Sequence, residues 1–184
     1  QLFGLKGVVL ARLGRAAEAR ALVAGLPADC DRCLLARARV AALTGDAGES
    51  DRLYAQLARR APSFLAAHLA WGQDLLARGD AACSSAKLAE IHEKAPRWAD
   101  PLEIWGEGLI RRGAYKAAAG KLQAAAARAP HWGRAHLRWG EALLLEGETA
   151  KARAQFVAAS RLTLSVPDRA RLAVFLARTP PAQA

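Results

Sequence analysis

Cys30 and Cys33 are separated by two residues, the spacing of a dithiol or of half a metal site. A tetrahedral zinc site needs two further ligands, yet no second Cys-x-x-Cys or His pair lies nearby, and the only other cysteine is Cys83. A redox enzyme built on such a pair places it in a βαβ pattern, which this chain lacks. Structural or incidental thiols, a disulfide, and a metal site are the readings for Cys30 and Cys33, in that order. His92 and His131 have no partner at nucleophile or metal spacing. Neither a Ser-His-Asp grouping, a phosphate loop nor a His-Glu-x-x-His is present, so we expect no enzyme and no cofactor.

What positions these residues is a repeat. Gly72, Gly106 and Gly140 stand 34 residues apart, each follows a Trp (Trp71, Trp105, Trp139), and each precedes by seven residues a second glycine, Gly79, Gly113 or Gly147. A period of this length marks stacked helix hairpins. With residues 65–98, 99–132 and 133–166 aligned, one place holds His68, Leu102 and His136, and another Leu75, Leu109 and Leu143. Together with the Trp-Gly pair this is the i, i+3, i+4, i+7 face of a first helix. A second helix follows, with Ser84, Ala118 and Ala152, then Leu88, Leu122 and Phe156, then Ile91, Ala125 and Ala159. Recurrence of His68 and His136 at one architectural position argues for packing between helices.

Pro96 and Pro130 close two of the units. Residues 31–64 fit with Leu34, Gly45, Ser50, Tyr54, Leu57 and Pro62 in register and Ala38 in place of the first glycine. Residues 1–30 give a shorter unit through Phe3, Gly7, Leu10, Gly14, Ala19 and Val23, its second helix cut off by Pro27. At 165–168, Ser-Val-Pro-Asp has the form of a helix start, which predicts a capping helix over 167–178. Asp100-Pro101-Leu102-Glu103 makes a similar start, in which the two acids would serve the cap and the helix dipole.

This arrangement resembles the tetratricopeptide repeat, with Trp-Gly replacing Leu-Gly and Leu replacing the second aromatic. The expected fold is all-α, a right-handed solenoid of about five hairpins with a C-terminal capping helix, forming one domain over 1–184. The resemblance implies protein-protein interaction through a concave groove lined by the first helix of each pair. Its groove positions fall on Arg39, Leu69, Gln73, Leu76, Glu103, Glu107, Arg111 and Glu141. Glu107 and Glu141 are the stronger binding candidates, because they lie too far along their helices to cap them. A groove that is basic early, apolar in the middle and acidic late would accept a protein or peptide segment with apolar anchors and a basic end. The Lys-Asn-rich set with which some relatives hold C-terminal carboxylates is not found at these positions.

Composition agrees with close helix packing, since 53% of residues are hydrophobic but only 6% aromatic. The apolar content is mostly Ala and Leu, good helix formers of modest size. A net charge of +10 sits at the two ends of the chain. With Arg97, His131 and Arg134 near Trp98 and Trp132, it supplies the alternative of a nucleic-acid-binding solenoid. A turn Trp is more simply a cover for the junction between hairpins. The other alternative is a regulatory or sensor domain of a larger enzyme or transcription regulator of bacterial type. The chain lacks Met and opens at Gln1 inside a helical pattern, which suggests a fragment. No run of about 18 apolar residues is present to span a membrane. The residues identify neither a compartment, the cytoplasm being preferred, nor an oligomeric state.

Overall fold

A computed structural model of the chain describes residues 2–180. Within them lie eleven helices and no strand: α1 (Leu2–Arg12), α2 (Ala16–Ala24), α3 (Asp31–Leu43), α4 (Ala47–Arg60), α5 (Leu65–Ala77), α6 (Ala81–Lys94), α7 (Asp100–Arg111), α8 (Tyr115–Arg128), α9 (Gly133–Leu145), α10 (Thr149–Ser160) and α11 (Val166–Arg178). The fold is an all-α solenoid of helix hairpins. Contacts between the described residues group into two compact units, Gln1–Lys87 and Leu88–Ala184.

One turn is used five times. Gly14, Gly45, Gly79, Gly113 and Gly147 all have φ between 74 and 94°. That left-handed backbone lets the next residue donate its N–H to the carbonyl five residues back: Arg15 to Leu10, Asp46 to Ala41, Asp80 to Leu75, Ala114 to Leu109 and Glu148 to Leu143, at 2.9–3.0 Å. This Schellman closure satisfies carbonyls that the helix end would leave bare, and it reverses the chain in a few residues.

A second turn joins successive hairpins. Ala61-Pro62-Ser63-Phe64, Ala95-Pro96-Arg97-Trp98 and Ala129-Pro130-His131-Trp132 each close with the aromatic residue's N–H on the alanine carbonyl, at 3.0 Å. The early unit departs from this pattern. Its second helix stops at Ala24, and Arg37 of α3 donates to the carbonyls of Val23 (3.0 Å), Ala24 (3.2 Å) and Leu26. A side chain from the next hairpin thus takes over the work of a cap.

In the first unit α1, α3 and α5 pack in sequence, with α2 bridging α1 and α3 and α4 bridging α3 and α5. Its cores are Val8, Leu10, Ala19, Val23 and Val40, and then Leu34, Ala38, Leu53, Tyr54, Leu57 and Ala70. In the second unit α7, α9 and α11 form one row, α8 bridges α7 and α9, and α10 bridges α9 and α11. Here Leu122, Leu137, Ala152, Phe156 and Ala159 are fully buried, and Phe156 stacks on Phe175 of the capping helix at 5.0 Å. Burial on this scale stabilises each large side chain by about 1.5–3 kcal/mol. Close approach depends on the Trp-Gly glycines. A Cβ on Gly106 would overlap Leu122, and one on Gly140 would stand 2.5 Å from Phe156 and 3.1 Å from the Ala152 carbonyl.

The two predicted helix starts differ. Ser165 is the N-cap of α11, its hydroxyl accepting the Asp168 N–H at 3.2 Å as the Ser-Val-Pro-Asp sequence implies. At α7 the expectation is corrected. Its N-cap is Ala99, with no side-chain cap, and Glu103 is taken up elsewhere.

Candidate functional site

In the second unit, polar side chains gather on the odd-numbered helices. Glu103, Glu107 and Arg111 follow at i, i+4 and i+8 on α7, and Arg134, Arg138 and Glu141 at i, i+4 and i+7 on α9. Each set therefore lies on one face of its helix. Neighbouring faces interlock as a chain of alternating sign. Arg134 Nε donates to Glu103 Oε1 at 2.9 Å, and its Nη2 to Glu107 Oε2 at 3.3 Å. Glu107 Oε1 accepts from Arg111 at 2.9 Å, and Glu107 Oε2 lies 3.4 Å from Arg138. Arg138 donates to Glu141 Oε2 at 2.9 Å, while Glu141 Oε1 accepts from Arg171 of α11 at 2.7 Å.

Burial sorts this lattice. Glu103 is 2% exposed and Arg138 is buried with its Nε unpartnered, whereas the Arg134 and Arg171 side chains are each 41% exposed. At Glu103 burial raises the carboxyl pKa, and Arg134 opposes it only in part. At Glu107 burial also acts upward, but Arg138, Arg111 and Arg134 outweigh it and hold the carboxyl below its ordinary range. Burial would lower Arg138, yet Glu107, Glu141 and Glu103 keep it above its usual value.

The first unit holds a different polar set. Tyr54 and Trp71 stack at 5.7 Å, the Tyr54 hydroxyl donates to Asp74 at 2.5 Å, and Trp71 Nε1 donates to Asp51 at 2.8 Å. Burial pushes Asp74 upward, and burial together with Asp74 does the same to Tyr54. Lys87 sits over Trp71 at 4.8 Å, as Lys121 sits over Trp105 at 3.6 Å, so the Trp of the Trp-Gly pair meets a lysine of its own second helix in both hairpins.

The expected groove residues are thus divided. Glu103, Glu107, Arg111 and Glu141 are brought together in the second unit. Arg39 borders an apolar groove of about 550 Å³ in the first unit, with Leu5, Val8, Leu35 and Phe64. Leu69 is half-buried and Gln73 exposed. Leu76 is buried, so like Glu103 it lends little surface to a partner. The late carboxylates Glu103, Glu107 and Glu141 are committed to arginines. Arg138 and Arg171 escaped the sequence reading. Their signal was available in the i, i+3 pairing of Arg138 with Glu141, but the bond from α11 to α9 spans 30 residues and has no local signature.

Of the readings for Cys30 and Cys33, the structure carries the disulfide, with the Cα atoms 5.1 Å apart. Cys30 is also the N-cap of α3, its sulfur accepting the Cys33 N–H at 3.2 Å. No group of three or more metal-capable side chains occurs among the described residues, and no helix there is long and apolar enough to cross a membrane. His68 is buried in α5, and His136 meets Gln155 at 3.0 Å and the Pro130 carbonyl at 3.2 Å. Both are built into packing. Trp132 packs on the cluster of Leu102, Ala125, Ala126 and Ala135, and Trp98 is half-buried.

Helix pairs of similar length, closed by recurrent turns and stacked on their neighbours, define the class of helical-repeat solenoids. Solved structures give that class its name. The chain matches a thermophilic TPR protein of Thermus thermophilus with a TM-score of 0.76 and 21% identity, over 96% of this chain and 98% of that one. It matches yeast Tom70 at 0.81 and 14%, over 96% of this chain and 39% of that one. It also matches MamA of AMB-1 at 0.66 and 19%, over 87% and 96%. The fold is that of the tetratricopeptide repeat. No protein-family model matches the sequence, and no curated protein matches it.

Proposed function

We propose that the protein is a noncatalytic scaffold that binds a segment of a protein partner along α7, α9 and α11 of the second unit. The observation that carries this reading is the lattice from Glu103 to Arg171, in which polar side chains of α7, α9 and α11 converge on one face already ordered by each other. Side chains fixed before binding lose less entropy on binding, which is how a rigid helical surface gains affinity for an extended segment. The tetratricopeptide-repeat fold supports the same reading, because stacked hairpins set the first helices of neighbouring pairs side by side, as α7, α9 and α11 are in the second unit. A base-stacking surface is less well supported, since Trp98 and Trp132 are both half-buried.

A photo-crosslinking residue placed at Leu145 on α9 or Val174 on α11, both exposed, is expected to capture a protein partner in cells. The same residue at Lys116 or Gln123, exposed on α8, is expected to capture none. Capture from α8 alone, or equally from α8 and from the α9 and α11 positions, would remove the assignment to the row of α7, α9 and α11.

A further inference from the structure

The lattice has more donors than acceptors to spare. Both carboxylate oxygens of Glu107 and both of Glu141 are already engaged by guanidinium groups. Arg134 by contrast commits two of its N–H groups to the lattice and Arg171 one, out of the five that each guanidinium carries, and both side chains are 41% exposed. Four arginines against three glutamates also leave the lattice with a net positive charge. What it can offer a ligand is therefore N–H donors, the reverse of the basic-ended segment that the glutamates alone suggest.

We infer that the face formed by α7, α9 and α11 binds an acidic segment of a protein partner, whose carboxylates are held by the outward edges of Arg134 and Arg171 while Glu103, Glu107 and Glu141 fix those guanidiniums in place. The inference rests on the scaffold reading and names the chemistry of its partner. A planar guanidinium with its inner edge paired presents two parallel donors outward, the geometry that suits one carboxylate. Leu145 and Val174, exposed one turn beyond Glu141 on α9 and Arg171 on α11, add apolar surface beside them. A nucleic acid fits less well. Its affinity grows with the number of phosphates neutralised, and this lattice has already spent most of its positive charge internally.

Fluorescence anisotropy with a labelled Glu-Leu-Glu-Glu-Leu-Glu peptide tests the inference. Its Lys-Leu-Lys-Lys-Leu-Lys counterpart and a random single-stranded oligonucleotide run beside it. The wild-type protein is expected to bind the acidic peptide, and Arg134→Gln with Arg171→Gln to weaken it at least about tenfold, as loss of close charge pairs does. Lys116→Gln with Arg161→Gln, exposed positions away from the lattice carrying the same loss of charge, should leave affinity unchanged within about twofold. Should the Gln pair lose its helical circular dichroism, Arg134→Lys with Arg171→Lys keeps the charge beside Glu103 and Glu141 and removes only the fork. It is expected to weaken binding as well. No binding of the acidic peptide by wild type, a preference for the lysine peptide, or equal loss in the control pair overturns the inference. Oligonucleotide binding that displaces the peptide and falls in the same variants overturns it in favour of nucleic acid. If crosslinks from Leu145 and Val174 persist while the acidic peptide fails, the scaffold reading stands and only the partner's chemistry is wrong.

Discussion

Glu103 and Glu107 stand one turn apart on α7 and share Arg134, yet their carboxyls are displaced in opposite directions from the same ordinary value of 4.5. Burial dominates at Glu103, and three guanidiniums dominate at Glu107. Opposite signs follow for stability against pH. Glu103, raised in the folded state, contributes stability below 4.5 that is lost as pH rises through its folded value. Glu107, lowered, contributes stability above 4.5 that is lost as pH falls through its folded value. Thermal melts of Glu103→Gln should accordingly gain on wild type as pH is raised above 4.5, and those of Glu107→Gln should gain as pH is lowered below it. Parallel pH profiles for the two variants would mean that they do not titrate as one lattice with two environments.

Within a hairpin the decisive feature is how near the two helices come. Gly140→Ala would put a methyl group 2.5 Å from the Phe156 ring and 3.1 Å from a helix carbonyl, a clash that only helix separation relieves. The expected cost in chemical denaturation is about 1–3 kcal/mol. Gly120→Ala, at an exposed position of α8 whose added methyl meets nothing within 4 Å, should instead stabilise by about 0.5–1 kcal/mol. Equal effects from the two would show that propensity, and not contact, sets the glycine pattern. Both glycines of each Trp-Gly unit were legible in the sequence, because their roles recur every 34 residues. The Ala-Pro-x-aromatic turn was only half legible, since Phe64 does its work in place of a Trp. The polar lattice was least legible. Its bonds between helices join residues 27–31 apart, and which arginine reaches which glutamate across them depends on hairpin-to-hairpin packing that no periodicity records. For the same reason Glu103 read as a helix-start acid and proved to be a buried partner of Arg134.

Within each unit, every packed helix pair among the described residues involves a neighbour or a next-but-one neighbour in sequence. Stability of such a chain is a sum over repeats and their interfaces, so damage should spread from the site of a mutation and not appear everywhere at once. In Gly140→Ala, amide exchange is expected to quicken most in α9 and α10 and least in α3, as mass spectrometry of exchanged peptides can read. A uniform change across all helices would establish one all-or-none unit. The two recurrent turns have another consequence. Residues 99–132 are preceded by Ala95-Pro96-Arg97-Trp98 and end on Ala129-Pro130-His131-Trp132, so a tandem copy of this segment would meet itself across a junction the chain already makes. Unequal crossover between such segments adds or deletes whole hairpins without demanding a new loop, and the gene can change the reach of its product in discrete, heritable steps.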